Sequence, residues 1–366
     1  MTDFSMAKRQ TLQKDGELQS RYERDGRKKV VVILTCTIAL LFLGIFFMTL
    51  GVKDTDMSQV CRTIYQGITG TLYDVEDNES AARKVVFLIR FPRVVISILA
   101  GIGLSISGVA MQGITRNPMV SPFTIGISNA AAFGASIALV FGVGFLPGTE
   151  VGVVLSAFCT AMLCAVLVYG VSRKSGMRPE SIVLTGIALN YVFSALTSAI
   201  EFFAAEYKLA SVVNWTFGTF NGATWNDTFV VAVFVVVCSL VIFRFALMLN
   251  VVSSGEDELV KSLGINPNTL RVIMGASSVL MTAAIISFTG VIGFVGLVAP
   301  HISRMIMGND HRYLIPFSGV VGALLMIVSD TIGRLLLAPV SLPVGIVVSF
   351  VGVPLFIHLI LNKKEY

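Results

Sequence analysis

Five ionisable side chains, Glu201, Arg244, Arg304, Asp330 and Arg334, lie within or at the edge of long apolar runs. In lipid such a group is costly enough to be a functional candidate until a partner or an escape route is found for it. Arg244 and Arg304 sit within a turn or two of the predicted span ends, where a long side chain can reach water along its own stem. Asp330 and Arg334 are spaced i, i+4 and can neutralise each other on one helix face. Glu201 and Asp330 would be the carriers if the chain coupled transport to protons or sodium.

Other chemistries find little support. His301, His311 and His358 are far apart in sequence, and two of them flank one predicted span end, so no metal site is expected. The cysteines Cys36, Cys61, Cys159, Cys164 and Cys238 show no C-x-x-C spacing and predict neither a zinc site nor a disulfide framework. There is no G-x-x-x-x-G-K-[ST] motif and no Gly-Lys pair, so any ATP must be bound by another chain. No catalytic residue and no cofactor is expected, because no nucleophile, acid and base converge in the pattern of a membrane-embedded enzyme.

The elements that would position these residues follow from composition. The chain has 366 residues, 55% hydrophobic and 13% charged, with a mean hydropathy of +0.82; soluble domains average roughly 25% charged residues. An all-α polytopic membrane protein is predicted. At about 20 apolar residues per crossing, the spans are Val30 to Val52, Val94 to Ile114, Phe123 to Phe145, Val151 to Val171, Ile182 to Ala205, Thr228 to Asn250, Val272 to Gly290, Val291 to Ile306, Tyr313 to Thr331 and Val344 to Leu361. The eighth, interrupted by Gly293, Gly296 and Pro300, reads as a half-helix, so nine crossings are the alternative to about ten. Small residues four apart, Gly101 with Ser105 and Gly103 with Ser107, predict close helix packing.

The first apolar run is too long for a signal-peptide core and is expected to remain as a helix. Residues 1–29 read as a polar cytoplasmic tail and 30–366 as the transmembrane domain. With both termini inside, 19 of the 27 Lys and Arg fall on the cytoplasmic side, as the positive-inside rule requires. This distribution argues against nucleic acid as a partner. The outer segments keep Lys53, Arg62, Arg83, Lys84, Arg90, Arg93, Lys208 and Arg334, and the first outer loop adds the acids Asp54, Asp56, Asp74, Glu76, Asp77 and Glu79. The longest inner loop, about 253–270, contains Glu256 to Thr269 (EDELVKSLGINPNT), a pattern for a short helix, a break at Gly264 and a further turn from Pro267. That loop is either a solvated connector or a surface that receives force from a partner. The Trp215 to Trp225 stretch (WTFGTFNGATW) is read as outer interfacial anchoring or as ligand contact at an outer mouth.

Three stretches resemble the FecCD family of ABC-importer permeases. They are Arg90 to Gln112 (RFPRVVISILAGIGLSISGVAMQ) with Asn117, Pro118, Pro122 and Gly126 to Ser128; Gly290 to Arg312 (GVIGFVGLVAPHISRMIMGNDHR); and Asp330 to Pro354 (DTIGRLLLAPVSLPVGIVVSFVGVP). The resemblance implies a type II ABC-importer permease of ten helices in the bacterial cytoplasmic membrane. Its implied partners are a second permease subunit, identical or paralogous, two cytoplasmic ABC ATPase subunits and an extracytoplasmic binding protein. The implied cargo is an iron chelate, heme or a cobalamin-type ligand. Arg90, Arg93 and Arg334 match the positions that receive acidic residues of the binding protein, and Leu259, Leu263, Gly264 and Ile265 match the helices that couple to the ATPase. Ser341 departs from the family, many members of which carry an acidic residue before the Leu-Pro-Val-Gly stretch.

Overall fold

The computed structural model describes residues 2–50, 56–70, 80–142, 144, 146, 148–338 and 340–361; in the first helix, side chains are described from Arg24 onward. Lys53, Asp54, Asp74, Glu76, Asp77, Glu79, Lys363 and Lys364 lie outside the described residues, as do the side chains of Lys8, Arg9, Lys14, Arg21 and His358. The described chain is helical throughout. In order it forms α1 (Thr2–Thr49), α2 (Met57–Thr69), α3 (Ser80–Val85), a π-turn (Val86–Arg90), α4 (Phe91–Thr115), α5 (Ile127–Phe141), α6 (Glu150–Lys174), α7 (Pro179–Phe203), α8 (Glu206–Thr216), α9 (Trp225–Arg244), α10 (Ala246–Ser254), α11 (Asp257–Ser262), α12 (Pro267–Thr289), α13 (Val295–Met307), α14 (His311–Leu335) and α15 (Val344–Leu361).

Seven described stretches are long and apolar enough to cross a membrane: Arg24–Thr49, Ala82–Thr115, Glu150–Lys174, Pro179–Phe203, Trp225–Arg244, Pro267–Thr289 and His311–Leu335. Three shorter apolar helices, Ile127–Phe141, Val295–Met307 and Val344–Pro354, coincide with the remaining apolar segments of the sequence. The chain is therefore an all-helical, multi-pass membrane protein. The second crossing starts at Ala82 rather than Val94, α2, α3 and α8 form in segments read as loops, and three further boundaries differ. Helix α1 does not begin at Val30 but continues back to Thr2. The sixth segment breaks at Phe245 into α9 and α10. Pro267 opens the 23-residue helix α12 rather than a separate short turn, its N-terminus capped by Asn266, whose side chain accepts from the amides of Asn268 and Thr269.

Helix α4 is the axis of the bundle, packed by α14, α12, α13 and α9. Lipid gives helices no hydrophobic reason to associate, so close backbone approach must do that work. Two glycines provide it. A Cβ on Gly101 would meet the Gly322 carbonyl and the Ala323 backbone of α14, and one on Gly108 would run into the Gly296 carbonyl of α13. The predicted Gly101/Ser105 face is thus the α4–α14 contact, with Ser105 directing its hydroxyl to the Gly101 carbonyl. The half-helix reading of the eighth segment matches α13, which is 13 residues long, contains Pro300 and follows Phe294 at a φ of 64°.

Gly108→Ala should cost about 1–3 kcal/mol through overpacking, read as a lower thermal midpoint of the purified protein in detergent. Gly170→Ala in α6, where an added methyl meets nothing, should be neutral or stabilising by up to about 1 kcal/mol.

Candidate functional site

Charged residues gather at both ends of α4. At its N-terminal end the π-turn and Pro92 set the start of the helix, and Arg90, Arg93 and Arg334 lie there together. Their surroundings are internal. Arg93 grips Asp330 with Nη2 at 2.7 Å from Oδ1 and Nε at 3.0 Å from Oδ2, and Arg334 approaches the same carboxylate at 3.4 Å. Asp330 is 3% exposed, Arg93 13% and Arg334 14%. The i, i+4 pair anticipated between Asp330 and Arg334 exists, but the shorter contacts belong to Arg93, 237 residues away.

Two of these arginines also serve α1, whose last carbonyls have no partner within the helix. Arg90 donates to the Met48 carbonyl at 2.9 Å, and Arg334 donates to the carbonyls of Phe47 and Leu50 at 3.3 and 3.4 Å. Cations at a helix C-terminus also oppose its dipole. Ser341 joins the cluster through Asn221: the Asn221 amide donates to Ser341 Oγ at 2.7 Å, and its oxygen accepts from Arg93. Ser341 is thus linked to Arg93 through a neutral side chain.

Nearby, Trp225 donates its indole N–H to the Phe87 carbonyl at 3.1 Å and packs on Phe87 and Phe91 at 5.4 and 4.9 Å. It staples α9 to the start of α4. Trp215 instead lines a cavity of about 560 Å³ with Phe220, Asn221, Asp227, Ser287 and Thr289.

At the other end of α4, the loop about 253–270 contains α11. Leu259 and Leu263 are 58% and 62% exposed, one turn apart on the same side. Gly264 is exposed with φ 80°, a conformation that favours glycine, while Ile265 turns back against the core. Beneath them Asp257 receives both Nη atoms of Arg271 at 2.7 Å and Arg116 Nη2 at 2.6 Å. Hydrogen bonds from Arg271 lead the causes that hold the Asp257 carboxyl below its usual range, against the opposing effect of burial; Arg116 adds to the lowering. The sequence reading missed this cluster, since Arg116 and Arg271 looked like ordinary inside charges.

Two further contacts fasten the same end. Burial alone would raise the pKa of Asp310, but hydrogen bonds from Arg312 and Asn250 outweigh it and hold the carboxyl at about 2; Asp310 also caps α14 through the Arg312 amide. Arg304 was read as snorkelling, yet it is part-buried and donates to Gln112 Oε1 on α4 at 3.0 Å, which ties α13 to α4. Arg244 is exposed and Glu201 half-exposed. Among the described residues, no three His, Cys, Asp or Glu side chains are grouped to hold a metal.

A helical bundle with apolar crossings and charged clusters at opposite ends of its central helix defines a multi-pass membrane protein. Comparison with known proteins makes this specific. The model of the FecCD transport family matches residues 37–362, and the chain belongs to that family. It is 35% identical over 285 residues to the cobalamin import system permease of Halobacterium salinarum, covering 77% of this chain and 75% of that one. It is 33% identical over 340 residues to the iron(3+)-hydroxamate import system permease of Bacillus subtilis, covering 92% and 84%. An inward-facing structure of a metal-chelate type ABC transporter superposes with a TM-score of 0.78 at 29% identity, covering 90% of this chain and 99% of that one.

Asp330→Asn would leave buried guanidiniums without their counter-charge and should destabilise the protein by about 3–5 kcal/mol, measured by thermal unfolding in detergent. Asp257 has a depressed folded pKa, so its contribution is present above about pH 4 and is lost as pH falls through the folded value. The stability gap between wild type and Asp257→Asn should therefore be constant near neutrality and close below pH 4.

Proposed function

We propose that this chain is the membrane-spanning permease subunit of an ATP-driven importer that accepts an iron chelate, heme or a cobalamin-type ligand from an extracytoplasmic binding protein and releases it into the cytoplasm. Membership of the FecCD family carries the reading, and the exposed leucines of α11 at one end of α4 with the arginine cluster at the other agree with it. In this reading ten helices cross the cytoplasmic membrane in the type II importer arrangement, both termini are cytoplasmic, and a second permease subunit, identical or paralogous, completes the path. The chain binds no ATP itself; two ABC ATPase subunits hydrolyse it below the membrane.

Leu259 and Leu263, projecting from α11 with Gly264 behind them, offer the ATPase an apolar contact of the kind that anchors interfaces, and Ile265 holds that loop to the bundle. At the outer end Arg93 and Arg334 share the single carboxylate of Asp330, and the positive field of that pair can attract acidic side chains of a docking binding protein. Arg90, Arg93 and Arg334 would then act in part through the field they project, since their side chains are already engaged. The cycle needs a ligand-loaded binding protein and ATP to favour different states of the bundle, because only differential affinity shifts an equilibrium.

The test is ATPase activity of the complex in nanodiscs with and without candidate binding proteins. A cognate binding protein should stimulate wild type, the Arg90→Glu plus Arg93→Glu variant should lose that stimulation in whatever complex still folds without the buried Arg93–Asp330 pair, and Leu259→Asp plus Leu263→Asp should prevent the ATPase from associating. Transport that persists in the absence of any ATPase would overturn the reading in favour of a secondary transporter.

A further inference from the structure

Asp257 is the first residue of α11, and arginines from two other helices, α4 and α12, meet on it. Arg271, in the first turns of α12, is wholly buried, presents both Nη atoms to the carboxylate at 2.7 Å and directs Nε to the Ile114 carbonyl of α4 at 3.4 Å. Arg116, the C-cap of α4 at a φ of 52°, donates Nη2 to Asp257 at 2.6 Å and Nε to the Val252 carbonyl of α10 at 2.7 Å. Val260, one turn further along α11, is fully buried in the same core.

These contacts set how α11 can move. Pulling it away from α12 would strip a guanidinium with no water access of its counter-charge, which is strongly unfavourable. Sliding it along α12 would break a two-pronged pairing that tolerates little change of angle. The left-handed conformation of Arg116 directs its guanidinium across the end of α4, so α4 is held by the same carboxylate. At its far end, about 37 Å away for 25 helical residues, α4 is joined to α14 through Arg93 and Asp330.

We propose that Asp257 is a positioning residue that makes α11 and the adjoining ends of α4 and α12 one rigid body, so that a displacement imposed on Leu259 and Leu263 reaches α4 directly instead of being absorbed by a swinging loop. The proposal rests on the reading of α11 as the surface that receives the ATPase. α4 then serves as the strut between that surface and the arginine cluster at the opposite end.

The experiment places spin labels at Lys261→Cys on α11 and Thr269→Cys on α12 in a permease otherwise free of cysteine, and reads their dipolar coupling in nanodiscs. It is run on the permease alone and on the complex, nucleotide-free and ATP-trapped. In wild type the separation should be narrow and unchanged by ATP. Asp257→Asn should broaden it and lower transport per ATP hydrolysed about tenfold, Asp257→Glu should restore both, and Arg116→Gln, which keeps the Arg271 pair, should give an intermediate loss. That last variant carries the test if Asp257→Asn fails to assemble. A shift of the wild-type separation on ATP trapping, or a transport-to-ATP ratio in both Asp257→Asn and Arg116→Gln equal to wild type, would overturn the proposal. If no ATPase associates, the reading of α11 as its receiver falls, and the permease-alone measurement still decides the clamp: a narrow separation that Asp257→Asn broadens upholds it, and an unchanged one overturns it.

Discussion

The close backbone contact of α4 with α13 and α14 is the constraint on which the rest of the structure depends. In water a bundle can be assembled by hiding apolar side chains, but in lipid that gain is absent and association needs dense packing. Gly108 against Gly296 and Gly101 against Gly322 bring the backbones together with no side chain between them. Larger residues at these positions would force the helices apart and pull both charged ends of α4 out of register with their partners.

Those ends solve the same electrostatic problem in the same way. At each, one carboxylate sits between two guanidiniums: Asp330 between Arg93 and Arg334, and Asp257 between Arg271 and Arg116. Neutral acceptors take the remaining donors, the α1 carbonyls and Asn221 at one end and the carbonyls of Val252 and Ile114 at the other. A lone buried arginine would be intolerable, and each cluster spreads its charge over fixed dipoles. The result is a central helix pinned at both termini by contacts that are costly to break and that come from helices remote in sequence.

Much of this was legible beforehand. The apolar runs mark the seven long crossings and the three shorter apolar helices, because spanning segments must satisfy their backbone internally, but not the more polar α2, α3 and α8; Gly101 with Ser105 marks a true contact face. The gathering of Arg90, Arg93 and Arg334 came from the resemblance and not from spacing, since nothing in their order shows that they share a carboxylate. Hydropathy hides pairings across the fold: Asp257 lies 141 residues from Arg116, and both read individually as loop charges. Arg304 was misjudged because its position near a span end fits escape to water as well as it fits Gln112. Trp225 looked interfacial because indoles favour the headgroup level, whereas its N–H is used to tie α9 to the turn before α4.

The arginine caps on α1 also bear on how the protein is made. Its C-terminal carbonyls are satisfied by Arg90, encoded 42 residues later, and by Arg334, more than 280 residues later. Little of its apolar stretch is buried by the rest of the chain. Until α14 is in place, the end of α1 lacks the donors that Arg334 supplies. The end of α1 is thus completed by residues drawn from well beyond it in the chain, and the helix is held in its final place only when α14 is there to meet it.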